Sequence, residues 1–349
     1  MHTDMPNNIN GLTHERRSLK NRMPRMNHRF HSHKVGRNLL IIACGAFFLA
    51  FGNQGFSQTV QANQADIARS QTSLAPGNVS PGPGDVVDGH AAPSPNDADL
   101  GEQQILKRND QYQPFTFTVG APFYWTSNVA LTNSGEQSDF IVAPVAGIYY
   151  EPRITQTLYG LIDVREQLFY YDRFDGLDFG SFDFEIGLRY LLPQWHNLLL
   201  RAEYDYNRLT MKDSFDDFFS NHAFIASAEV PFRIDRAQQV FLGVDANISM
   251  AAAQEDPRRD DYEAYVAYVA NLARAFSVHA VGRFVVRDYI HQDSRVDVSE
   301  IFSLSADYQV CKFFTASAVG TFAASQSNHS VFNYEVGNAG GAVSLAVKF

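Results

Sequence analysis

From Gln111 to the end of the chain, apolar and polar residues alternate over stretches of about ten, the period of a β-strand with two different faces. The clearest stretch sets Phe182, Phe184, Ile186, Leu188 and Tyr190 against Asp183, Glu185, Gly187 and Arg189. Leu198 to Tyr206 alternates likewise with Arg201, Glu203 and Asp205, and Phe276 to Val286 alternates with His279, Arg283 and Arg287. Twelve such segments are predicted, near 114–125, 138–150, 156–170, 180–192, 197–209, 222–233, 238–250, 262–272, 275–288, 298–309, 313–324 and 338–349. The same pattern admits ten or fourteen. Strands of about ten residues, apolar on one face and ionic on the other, have the length a tilted strand needs to cross a bilayer. Those of soluble sandwiches average about half that.

The connections alternate between short (EPRIT, LPQWHN, RIDRAQ, LARAF, QVCKF) and long and polar (SNVALTNSGEQS, YDRFDGLDFG, TMKDSFDDFFSN, AAAQEDPRRDDY, IHQDSRVD, ASQSNHSVFNYEVGNAG). This is the rhythm of an up-and-down barrel with tight turns at one end and loops at the other. Aromatics gather near strand ends (Trp125, Tyr149, Tyr150, Phe169, Tyr170, Tyr190, Trp195, Phe313 and Phe314), as interfacial girdles require. Segment 138–150 is apolar on both faces, and two further places fit the pattern poorly. Glu166 shares a face with Ile162, Val164 and Leu168, which predicts a bulge or an early strand end, and Phe241 falls on a polar face.

The fold class expected is therefore all-β: a transmembrane, up-and-down antiparallel barrel over 111–349. Residues 1–57 read as an extended basic segment and a signal peptide. The uncharged run Leu39 to Phe51 follows Lys34 and Arg37 and precedes Gly55-Phe56-Ser57, which predicts a cut between Ser57 and Gln58. A start at Met23 or Met26 gives a signal of ordinary length. Ile41-Ile42-Ala43-Cys44 resembles a lipoprotein lipobox, which would acylate Cys44, although most of the apolar run lies beyond it. With the signal removed Cys311 stands alone, so no intrachain disulfide is expected. Residues 58–110 are dense in Pro, Gly, Ser, Asn and Asp and have no sustained apolar period. They are expected to form a disordered linker on the periplasmic side.

The final strand carries a resemblance. An aromatic last residue after alternating apolar positions, here Val343, Leu345, Val347 and Phe349, resembles the signal by which the assembly machinery of Gram-negative outer membranes selects its β-barrels. The resemblance covers about two-thirds of the chain and names no activity. It implies a porin-like protein of the cell outer membrane, in contact with lipid and lipopolysaccharide and delivered through its last strand.

The faces opposite the apolar ones carry Asp163, Arg165, Asp183, Glu185, Arg189, Arg201, Glu203, Asp205, Glu229, Arg233, Asp245, His279, Arg283 and Arg287, the candidate lumen lining. Such charges either form a constriction or pair into ladders that keep a polar wall hydrated. Outer-membrane phospholipases, lipid A deacylases and omptin-type proteases need a nucleophile and base near the outer rim. Asn328-His329-Ser330, His222 and His291 are the candidates, but none of those enzymes' motifs is matched, and adjacent His329 and Ser330 point apart in an extended segment. The acidic groups Asp172, Asp175 and Asp178, Asp213, Asp216 and Asp217, and Glu255, Asp256, Asp260 and Asp261 read as a solvated outer rim, without calcium-loop spacing. No catalytic residue, cofactor or metal is expected, and a net charge of −10 argues against nucleic acid. The expected function is passive passage or a structural envelope role. The alternative is a closed-lumen surface or anchoring protein, with the Pro-rich segment binding a periplasmic partner.

Overall fold

The structure, a computed structural model, describes residues 54–72 (with side chains over 58–69), 112–212, 216–235 and 237–349. The apolar run, Cys44, Asp213, residues 73–110 of the expected linker and Gln111 lie outside the described residues.

Helix α1 (Gln54–Thr72) precedes the strands β1 (Phe115–Thr126), β2 (Asp139–Val142), β3 (Val145–Tyr150), β4 (Leu158–Tyr171), β5 (Phe179–Leu192), β6 (Leu198–Met211), β7 (Asp217–Arg233), β8 (Gln238–Ala253), β9 (Arg259–Ala273), β10 (Phe276–Tyr289), β11 (Val296–Gln309), β12 (Phe314–Ser327) and β13 (Tyr334–Lys348). All pair antiparallel in one sheet, and β13 returns to β1. β2 and β3 each lie between β1 and β4, so they are two pieces of one strand position and the barrel has twelve. The break falls at Ala143-Pro144, where Pro144 has no N–H to donate. Around it, Ala143 donates to the Pro122 carbonyl at 2.8 Å and Leu168 to the Pro144 carbonyl at 2.9 Å.

Closure runs from Thr116 opposite Lys348 to Thr126 opposite Asn338. The last residue takes part: Phe115 N–H donates to the Phe349 carbonyl at 3.1 Å, and Phe349 N–H returns a bond to Phe115 at 3.0 Å. An alternating apolar run can end the chain because its backbone is paired on both edges and neither is left open.

The strands lie where the alternation predicts them, but several run further. Ala251 to Ala253 belong to β8 and Arg259 to Tyr262 to β9, so the expected long acidic loop shrinks to a turn at Gln254–Arg258. Hydrogen-bonded ladders continue above the apolar belt, because pairing ends where the backbone turns and not where side chains become polar. The expected irregularity at Glu166 is absent. β4 pairs with β5 in unbroken register, and Glu166 points outward near the long-loop end, in a row with Phe182 and Arg208.

Residues 58–72, expected to carry no fold, are instead part of α1. The helix extends across the predicted cut at Ser57–Gln58, and it lies inside the barrel. Its Ala65 and Ala68 pack with Tyr124, Phe169, Leu209 and Phe219, while Val60 and Ile67 pack with Val285, Ile301, Ala323 and Val336 from other strands. All eight strand residues face inward in the long-loop half of the barrel. Only an element in the lumen reaches both sets.

Gly187 is required by close approach. A Cβ there would stand 2.4 Å from the Ala202 carbonyl oxygen and 2.7 Å from Glu203 Cα, both backbone atoms of β6. Gly187→Ala is expected to push β5 off β6 and lower stability by about 1–3 kcal/mol, measured by urea unfolding in vesicles. Gly187 is therefore a poor position for placing a charge in the lumen, although it faces inward.

Candidate functional site

The outer surface is a continuous apolar band. Phe117, Val119, Phe123, Ile186, Leu188, Leu242, Val244, Val266, Phe284, Phe302, Leu304, Phe322, Val343 and Leu345 are all exposed on it. A patch that encircles the molecule far exceeds what a soluble monomer tolerates and suits a lipid surround. At the short-turn end aromatics form the girdle: Phe115 stacks on Tyr150 at 4.2 Å and on Phe349 at 5.8 Å, with Tyr190, Trp195 and Phe313 exposed nearby. The four residues of the expected assembly signal lie on this outer face, opposite β1 residues from Ala121 to Phe115.

The inner wall carries the charges. The structure places Asp163, Arg165, Asp183, Glu185, Arg189, Arg201, Glu203, Asp205, Asp245, His279, Arg283 and Arg287 on the side away from the apolar band. Most are paired: Arg165 with Asp163 at 3.1 Å and Glu185 at 3.8 Å, Arg189 with Glu151 at 2.9 Å, Arg201 with Glu203, Arg283 with Glu263 at 2.6 Å. Glu185 stands opposite Asp205 and Asp245 opposite Glu263, so acids also meet acids across the ladders. Phe241, the residue out of pattern, packs inward on Tyr265, Ala267 and Val281. The Tyr265 ring covers Gly243 on the adjacent strand, and its hydroxyl donates to Glu229 at 2.6 Å. The inner face of β11 to β13 and β1 is built instead from small residues, among them Ser303, Thr321, Ser344, Gly120 and Thr118.

α1 is tied into this wall by polar contacts. Gln64 Nε2 donates to the Asn128 and Val129 carbonyls in the first long loop, and Gln61 donates to the Leu177 carbonyl in the second. Arg259 of β9 donates to Asn63 at 2.6 Å and forms an ion pair with Asp66. Asp66 also pairs with Arg69 at 3.2 Å, and Arg69 pairs with Asp183 of β5 at 3.3 Å. Burial works against ionisation of Asp66, but Arg259, Arg69 and Arg287 outweigh it and hold its carboxyl below the ordinary value. Arg69 is likewise desolvated, yet Asp183, Asp66, Asp205 and Glu185 hold its guanidinium pKa above the usual range. Both charges are therefore present at neutral pH.

The sequence did not single out Asp66, Arg69, Arg259, Glu263 or Tyr265. Glu263, Tyr265 and Ala267 share one face of β9 at period two, a signal the alternation rule could have used. Arg259 was taken for loop, and no apolar period marks α1.

The candidates for chemistry do not assemble. His329 Nε2 is 3.3 Å from the Asp293 carbonyl oxygen while Ser330 opens a short 3-10 turn. His222 points outward against the Tyr204 hydroxyl at 2.6 Å, and His291 pairs with Glu255 at 2.6 Å. Ser277, His279 and Asp307 do converge in the lumen, but serine and aspartate meet the same ring nitrogen, Nε2, at 2.8 and 3.1 Å. A relay needs them on opposite nitrogens. Among the described residues no group of three or more His, Cys, Asp or Glu is placed to hold a metal ion. Asp178 of the acidic rim accepts from Tyr171 N–H and pairs with Lys212, and Asp217 pairs with Arg208. Asp261, also read as rim, lies in β9 and pairs with Arg259 at 2.9 Å.

No protein-family model matches the chain, and no curated protein matches it in sequence. Solved structures do match. An outer-membrane channel from Pseudomonas putida F1 aligns at a TM-score of 0.50 and 10% identity, over 68% of this chain and 98% of that one. The chain has the fold of an outer-membrane channel barrel. The translocator domain of autotransporter NalP from Neisseria meningitidis aligns at 0.40 and 11% identity, over 69% and 90% of the two chains. The channel DcaP of Acinetobacter baumannii aligns at 0.39 and 6%, over 67% and 96%.

Proposed function

We propose that this protein is an outer-membrane channel of porin-like type, passing small solutes passively. The observation that carries the proposal is the contrast between the faces of one closed barrel, apolar all round outside and charged within. A barrel that served only as an anchor would need the outer face alone, whereas ionic residues on at least six consecutive strand positions of the lumen wall suit hydrated passage. Lipid and lipopolysaccharide are the surroundings proposed for the belt and loops. The barrel-assembly machinery is the partner proposed for Val343, Leu345, Val347 and Phe349. An even number of strand positions starts β1 and ends β13 at the short-turn end, which supports a periplasmic approach of the chain to β1.

The second reading, a closed-lumen surface protein, is favoured by α1 in the lumen. Planar-bilayer recordings separate the two. Unitary current steps from the refolded chain, or from the same barrel without residues 58–72, are the expected result. Silence from both would replace the channel with the anchoring reading.

A further inference from the structure

We propose that α1 is a removable plug, latched in the lumen by a chain of charges running Arg259–Asp66–Arg69–Asp183. The inference rests on the channel function above and adds the means by which the channel is shut. The chain is continuous: each member contacts the next, and its ends belong to β9 and β5, on separate parts of the barrel wall. Asp66 and Arg69, one turn apart, present opposite charges to opposite partners, so α1 sits in one orientation and at one depth.

The helix closes the long-loop half of the lumen. It spans from the Tyr124 and Phe169 side to the Val285 and Ile301 side, and the first two long loops hold it from above through Gln64 and Gln61. Its composition suits a part that leaves. Gln58, Thr59, Gln61, Asn63 and Gln64 are all buried, and the hydrogen bonds of such side chains are exchanged for water at little net loss. A permanent core element would bury mostly apolar groups; here, among the described side chains of the helix, Ile67 is the one large apolar group that is fully buried. Withdrawal need not disturb the sheet, since α1 contributes no strand and residues 73–114 separate it from β1 by up to about 140 Å of chain. Once α1 is out, Arg259 and Arg287 stand on one part of the wall and Asp183, Glu185 and Asp205 on another. A solute then crosses between cationic and anionic surfaces that the helix had neutralised.

Single-channel recording in planar bilayers tests this with three proteins: the full chain, a chain lacking Gln58–Thr72, and the double variant Asp66→Asn/Arg69→Gln. Heat-modifiable migration first establishes that each barrel is folded. The full chain is expected to be mostly closed, the deletion continuously open, and the double variant open at least about tenfold more of the time than the full chain. A synthetic peptide of residues 58–72 added to the deletion should restore closure, and the same peptide carrying both substitutions should not. Equal conductance from the full chain and the deletion overturns the plug while leaving the channel function standing. A folded deletion that never conducts overturns the channel function instead. If the deletion does not assemble, an unchanged open fraction in the double variant overturns the latch.

Discussion

A chain lacking Val343 to Phe349 fails to assemble in the membrane. The deletion removes every pairing of β13 with β1 from Ala121–Val343 down to Thr116–Lys348, together with the reciprocal bonds between Phe115 and Phe349. It also strips Phe314, Thr315 and Ala316 of β12 of their partners on β13. The short-turn half of the seam is left with unpaired N–H and carbonyl groups facing lipid, at several kcal/mol each. Loss of the heat-modifiable band and of membrane-fraction protein is the readout, and a normal level of inserted truncated chain would mean that the sheet closes elsewhere. Phe349→Ala is the contrast. It keeps both backbone bonds and loses only the stack on Phe115, which contributes about 0.5–1.5 kcal/mol beyond the area the ring buries. The finished barrel should tolerate it. Delivery should suffer more, with less protein reaching the outer membrane and more degraded before insertion.

The second large effect concerns which face meets lipid. Ile186 is the eighth of the fourteen residues of β5 and points outward, as does Leu304 near the middle of β11. Ile186→Arg or Leu304→Arg should cost roughly 2–4 kcal/mol, the range for a cationic side chain at mid-membrane depth. Ser305→Arg, one residue further on, points inward beside His279 and on the same face as Asp307, and should cost under about 1 kcal/mol. Refolding midpoints in lipid vesicles against urea give the comparison. Equal penalties on the two faces would contradict the assignment of inside and outside.

Both results depend on features legible in one dimension. Alternation at period two, sustained over strands such as β5, β6 and β10, identifies the strands and separates their faces, because successive side chains in an extended chain must point opposite ways. The same rule sorted the charged residues onto the lumen wall. It could not say which of them meet. Arg189 finds Glu151 across 38 positions and Arg283 finds Glu263 across 20, and such partners are fixed by the register of neighbouring strands. It also misjudged strand ends, since Arg259 and Asp261 look like loop by polarity and are strand by pairing.

The helix marks the limit. A surface helix announces itself by one apolar stripe against water. α1 is surrounded by a wall that is apolar in places (Tyr124, Phe169, Val285, Ile301) and charged in others (Asp183, Arg259), so its positions alternate among Gln, Asn, Asp and Ala without a stripe, and composition alone reads it as unstructured. What the amino-acid order determined by itself was the barrel: a count of strands near twelve, their polarity inside and out, and a last strand fit to close them. Whether the space within is open was decided by the tertiary structure. The partners that hold α1 come from strands as far apart in the chain as Asp183 and Arg259, and only the closed sheet brings them within reach of one turn of helix.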